Sequence, residues 1–104
     1  MKNISFCETD EYDYGIVVDE VNLESIKSPF KQSIISIPSG AISPLDQHEV
    51  KETWLIMSGY GSLTCNDTPK PLKKGDAVFF ESFDTHQVTN ESSEVMKIIS
   101  TWWM

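Results

Sequence analysis

The sequence predicts an all-β domain, a sandwich or barrel of short antiparallel strands. Three observations predict it. β-Branched and aromatic residues fall in short runs, such as KQSIISI, TWLIM and AVFF. Turn signals (PSG, SGYG, NDTPKP, KKGD) divide those runs at roughly 8–12-residue spacing, the pattern of sandwiches and barrels. No stretch sustains a helical period of apolar residues.

Taken in order, the first fourteen residues are acidic and read as a loosely held segment. Tyr14–Val18 (YGIVV) predicts a strand. Asp19–Lys27 (DEVNLESIK) is the one helical candidate, but Val21, Leu23 and Ile26 fit a 3.6-residue period poorly. An irregular segment or one short turn is expected there. Lys31–Ile37 is a clearer strand, closed by PSG. Thr53–Met57 is continuously apolar and ends at SGYG, where Gly59 and Gly61 bracket Tyr60 and suit a tight hairpin needing positive φ. Ser62–Cys65 is a further strand. Asn66–Asp76 reads as a turn-rich connection, with Lys70, Lys73 and Lys74 in a solvated loop. Ala77–Phe80, His86–Thr89 and Val95–Trp103 complete the strands. In the last, Ile98, Ser100, Trp102 and Met104 share one side, and Val95, Lys97, Ile99, Thr101 and Trp103 share the other. A strand apolar on both sides is covered on both faces or meets another subunit.

A chain of 104 residues suits one domain, here spanning 1–104. Acids outnumber bases 16 to 8, a formal net charge of −8. Nucleic-acid binding is driven by cationic side chains on phosphates, so this balance argues against it, and against an anionic membrane surface. Cys7 and Cys65 form no C-x-x-C pair; two reduced, packed thiols are expected, one disulfide being the alternative. The N-terminus lacks the apolar core of a secretory signal, and no apolar run approaches the roughly 20 residues of a membrane span. The expected setting is the cytoplasm and the expected partner a small molecule.

Asp46, His48 and Glu52 fall within seven residues. Side chains two apart on a strand share a face, so Asp46 and His48 can both look inward. Glu52 reaches the same face directly, or opens the next strand after a turn at EVK. A second histidine, His86, lies 38 positions after His48, at the end of another apolar strand. Two imidazoles with carboxylates suit a first-row metal ion. Trp54 shares the face of Glu52 and either lines a pocket or is plain core. Alternation sends one of Phe79 and Phe80 inward; Phe80 is taken with Trp54 as candidate pocket lining.

These residues resemble the two signatures of the cupin superfamily. The first runs Gly, five residues, His-x-His, three or four residues, Glu, six residues, Gly. Here it is Gly40, AISPL, Asp46-Gln47-His48, EVK, Glu52, TWLIMS, Gly59, with Asp46 replacing the first His. The second runs Gly, five residues, Pro-x-Gly, two residues, His, three residues, Asn. Here it is Gly75, DAVFF, ESF, DT, His86, QVT, Asn90, with Glu81 and Phe83 at the Pro and Gly positions. The motifs span 40–59 and 75–90, and the connection between them has the length usual in the family.

The resemblance implies a double-stranded β-helix, a jelly-roll barrel of antiparallel strands with a metal in its mouth. His48, Glu52 and His86 occupy ligand positions of the family and would form a two-His, one-carboxylate set with open positions. Such a set suits Fe(II); Zn, Mn and Ni are compatible by ligand type. Asp46 is a fourth ligand, a nearby acid/base, or a solvated rim residue. If Asp46 and Glu52 both ligate, two carboxylates cancel a 2+ charge, and the centre is a poorer Lewis acid than one held by three His and one Glu. The resemblance implies a metal-dependent enzyme, an oxygenase or an isomerase or lyase, acting on a small polar metabolite, with Asp46 and Glu52 as candidate catalytic groups. Glu-x-Trp before Gly-x-Gly looks like carbohydrate-pathway cupins and points to a sugar-like substrate. The alternatives are a non-catalytic ligand-binding or sensor module, and a metal-free structural barrel. Similar cupins often dimerise, so a homodimer is expected.

Overall fold

Strand side chains alternate between faces, so each apolar run must find a second layer to cover its inner side. The computed structural model describes all 104 residues and meets this need with ten strands in two sheets. They are β1 (Phe6–Glu11), β2 (Val17–Val21), β3 (Lys31–Ile37), β4 (Asp46–Gln47), β5 (Lys51–Ile56), β6 (Tyr60–Cys65), β7 (Thr68–Lys73), β8 (Ala77–Phe80), β9 (Thr85–Asn90) and β10 (Met96–Trp103). One sheet has the order β1-β2-β3-β10-β5-β8 and the other β4-β9-β6-β7. Each pairing of these strands is antiparallel. Sheet order departs from chain order because β10 returns to lie between β3 and β5.

The core lies between the sheets. Ile37, Trp54, Ile56, Phe80, Met96 and Ile98 enter it from the larger sheet, and Leu63, Leu72 and Val88 from the smaller. Burying a side chain of this size stabilises the fold by about 1.5–3 kcal/mol. Asn90 is fully buried among them. Its amide donates to the Ile37 and Glu94 carbonyls (both 2.8 Å) and its oxygen accepts from the Ser92 N–H (2.9 Å) and hydroxyl (2.7 Å). The last residue of the second signature is thus a polar staple joining the end of β3 to the β9–β10 connection.

Several elements differ from the sequence expectation. Residues 6–11 of the acidic N-terminal segment are an edge strand, β1, paired along β2. All six of its residues are exposed, so it buries no apolar side and leaves no hydrophobic signature. Backbone bonds and a Thr9 hydroxyl donating to Asp19 (2.8 Å) hold it. The strand expected at Tyr14–Val18 lies at Val17–Val21, and the helical candidate dissolves into the end of β2 and one short 3-10 turn, Glu24–Ile26. The expected connection after Cys65 contains β7, carrying Lys70 and Lys73. Pro69 and Pro71 are tolerated because β7 is an edge strand with no partner on its outer side.

The two glycines around Tyr60 have different reasons. Gly59 sits at φ +79°, as a tight turn requires. Gly61 has no positive φ. It faces the Thr89 carbonyl so closely that an added Cβ would lie 1.8 Å from that oxygen. In β10, Met96, Ile98 and Ser100 are buried, whereas Ile99, Thr101 and Trp103 on the outer face are half-buried. Ile99 is in register with Ile34 and Leu55, and Phe79 stacks on Trp103 at 6.3 Å. The chain itself thus covers only one face of this strand. No helix is long and apolar enough to cross a membrane.

Candidate metal centre

The short strand β4 sets the site. Asp46 pairs directly opposite His86 of β9, and residues opposed in an antiparallel pair share a face. His48 follows two residues later. The turn of the second signature clamps this segment. The Phe83 N–H donates to the His48 carbonyl (2.6 Å) and Gln47 Nε2 donates to the Phe83 carbonyl (2.8 Å). Phe83 takes φ +67° to do so, at the position where the family pattern has glycine. The backbone conformation of the motif is kept although its residue is not.

One ligand atom each from Asp46, His48 and His86 lies within 4.8 Å of the other two. With metal–ligand bonds of roughly 2.0–2.2 Å, two ligands on one ion stand at most about 4.4 Å apart, so the triplet need close by only a few tenths of an ångström. Two imidazoles and a carboxylate are a competent donor set for a first-row divalent ion. The His48 and His86 ring centroids are 5.4 Å apart. His86 is buried, stacked on Phe80 (4.5 Å) with the edge of Trp54 against it (5.3 Å). Its Nδ1 lies 3.3 Å from the Asp84 carbonyl. A proton on Nδ1 points at that carbonyl and leaves Nε2 free to ligate.

Glu52 stands just behind the triplet. It is buried, with Oε1 3.6 Å from His86 Nε2. Oε2 accepts the Trp54 indole N–H (2.8 Å) and the Ser100 hydroxyl, two donors that offset the desolvation of a buried carboxylate. The carboxylate grouped with the two imidazoles is therefore Asp46, and Glu52 is an oriented acid beside them. Trp54 and Phe80 are not in the wall of the chamber that adjoins His48 and Glu52. They are core residues, 4% and 2% exposed, that fix His86 and Glu52 from beneath.

A chamber of about 300 Å³ adjoins His48 and Glu52. The aromatic residues in its wall are Tyr12 and Trp102, with Asp10 and Glu20 from the first two strands and Ser33 and Ser100 from the floor. Burial, reinforced by the charges of Asp10, Asp46 and Glu8, pushes the Tyr12 hydroxyl above its ordinary value, so it remains a neutral donor. Sequence reasoning missed this wall. The legible signal was a serine at the inward position of two apolar strands; Asp10 and Tyr12 had none, because their placement depends on β1 closing over the site.

A family model described as the cupin domain matches residues 33–102. The chain belongs to the cupin family. The fold is shared with the plu4264 protein of Photorhabdus luminescens (19% identity, TM-score 0.83, covering 100% of this chain and 87% of that one). It is shared too with a Cupin 2 conserved barrel domain protein from Salinispora arenicola (23%, 0.78, 98% and 82%). A third similar structure is a predicted oxalate decarboxylase from Thermotoga maritima (20%, 0.77, 93% and 90%). At such identities the likeness concerns the fold alone.

Proposed function

We propose that this cupin is a metal-dependent enzyme acting on a small polar metabolite. The observation that carries the reading is the convergence of Asp46, His48 and His86 within 4.8 Å beside a chamber of about 300 Å³. The three residues would hold a divalent ion, Fe(II) being the first to try and Zn, Mn and Ni the others. Held there, such an ion would supply Lewis-acid or oxygen-activating chemistry to a substrate beside it. Glu52 would give or take a proton at Oε1, while Trp54 and Ser100 fix Oε2. The Asp84 carbonyl would favour the tautomer with the proton on His86 Nδ1, and the Phe80 ring stacks on the imidazole.

Metal analysis of the purified protein after loading with Fe(II), Zn, Mn or Ni tests the reading. His48→Ala and His86→Ala are each expected to weaken retention at least roughly tenfold, with circular dichroism unchanged. Equal metal content in all three proteins sinks it. Oxygen uptake against a metabolite panel then separates oxygenase from lyase or isomerase. The departure at Asp46 favours a second reading, a ligand-binding module without turnover. Saturable thermal stabilisation by a ligand that is never consumed would select that reading.

We also propose that a second copy of the chain covers the outer face of the larger sheet. Ile34, Ile99 and Leu55 lie in register there, flanked by stacked Phe79 and Trp103. Such an uncharged row is self-complementary, as a two-fold contact needs.

A further inference from the structure

The chamber beside the candidate ligands is acidic and aromatic at once. Asp10, Glu20 and Glu52 line it, as do Tyr12 and Trp102, and no lysine does. Lys31, the cross-strand partner of Trp102, is exposed and lines a neighbouring groove with Cys7 and Glu24 instead. The chain contains no arginine, the side chain best shaped to hold a carboxylate or phosphate bidentately. A divalent ion held by Asp46, His48 and His86 would still leave the surrounding carboxylates in excess.

The floor supplies a second, independent observation. Ser33 is 3% exposed and lines the chamber; no group of the chain hydrogen-bonds its hydroxyl, which keeps what access it has through the chamber. Its neighbours in register are Glu20 on β2 and Ser100 on β10. The Ser100 hydroxyl is already committed to Glu52. The Ser33 hydroxyl is thus a polar group open to the chamber and free of partners in the chain, available to an occupant of that space.

We propose that the chamber takes a small organic cation bearing a hydroxyl or similar polar group. Its charge would lie near the Asp10 and Glu20 carboxylates and the faces of Tyr12 and Trp102, and its polar end on Ser33. This rests on reading the chamber as the substrate's own and narrows the substrate class. A cation gains from carboxylates in a partly desolvated wall and from aromatic faces. A small dianion meets the same field as repulsion and finds no guanidinium to receive it.

The test uses three probes on the full chain, titrated by calorimetry and tryptophan fluorescence with and without bound metal. Choline carries both the charge and the hydroxyl. Its neutral isostere 3,3-dimethylbutan-1-ol keeps only shape and hydroxyl. Oxalate represents the small dianions. Choline is expected to bind at least ~10-fold tighter than the isostere. Glu20→Gln and Asp10→Asn should each weaken choline by roughly three- to tenfold and leave the isostere unchanged. Ser33→Ala should weaken both by similar factors. Equal affinity for choline and the isostere, tighter binding of oxalate, no binding of choline, or indifference of choline to both acid substitutions overturns the proposal. Failure here in a protein that retains its metal leaves the proposed metal chemistry standing. Discrimination for choline in a protein that holds no metal sinks that chemistry and keeps this inference.

Discussion

Glu52 carries the most closely specified polar contacts at the site. One oxygen is taken by Trp54 and Ser100, the other faces His86 at 3.6 Å. Glu52→Gln can keep its carbonyl on the two donors, so a stability change below about 1 kcal/mol is expected in urea titration. Glu52→Ala leaves a buried N–H and O–H unmet and opens a void, with an expected loss of about 3 kcal/mol or more in the same titration. Similar losses for the two variants would refute this account of Glu52. The sequence carried the premise, that an acid before TWLIM must be paired. It did not carry the partner, because Ser100 is 48 positions away. Phe83 is the second informative residue. It is 59% exposed at φ +67°, a conformation that costs a side-chain-bearing residue roughly 1–2 kcal/mol. Phe83→Gly removes the strain but loosens the unfolded chain, so a net stability gain of up to about 1 kcal/mol is expected from urea denaturation. A loss instead would show that the exposed ring makes contacts that outweigh the strain.

Among the elements, β6 and β9 leave no room for a side chain at Gly61. An alanine there sets its Cβ 1.8 Å from the Thr89 carbonyl, a backbone atom that cannot swing aside. Gly61→Ala is expected to lower stability by more than about 4 kcal/mol, or to prevent folding, judged by soluble yield and thermal denaturation. A near-normal melting temperature would mean that the two strands can separate. The strands with a buried face, β3, β5, β8 and β10, were legible at or near their true bounds because burial imposes a composition. The edge strands β1 and β7 were not. β1 buries no side chain and β7 only Leu72, so both rest mainly on backbone bonds to β2 and β6, and a backbone bond is indifferent to Glu, Lys or Pro outside it.

For the molecule as a whole, the distribution of apolar surface matters more than the formal charge of −8. The inner face of the larger sheet is covered by the smaller one, while its outer face leaves Leu55 and Phe79 40% and 48% exposed. Leu55→Asp places a charge in that row without touching the core. A shift from twice the chain mass to a single chain in light scattering, with unchanged circular dichroism, is the expected result. A wild-type mass already equal to one chain removes the dimer.

The barrel class and the chemistry-bearing positions were set locally. Two-residue alternation, turn residues and the spacing of Gly40, His48, Glu52, Gly75 and His86 are short-range quantities, and a strand's side-chain direction follows from them. Which groups meet was decided by pairing between remote strands. Register put Asp46 opposite His86, brought β10 between β3 and β5 so that Ser100 reaches Glu52, and laid the first strand where Asp10 and Tyr12 wall the chamber. Those contacts come from closing long loops around a shared core. Their free energy depends on the partner across the gap, which no local run of residues encodes.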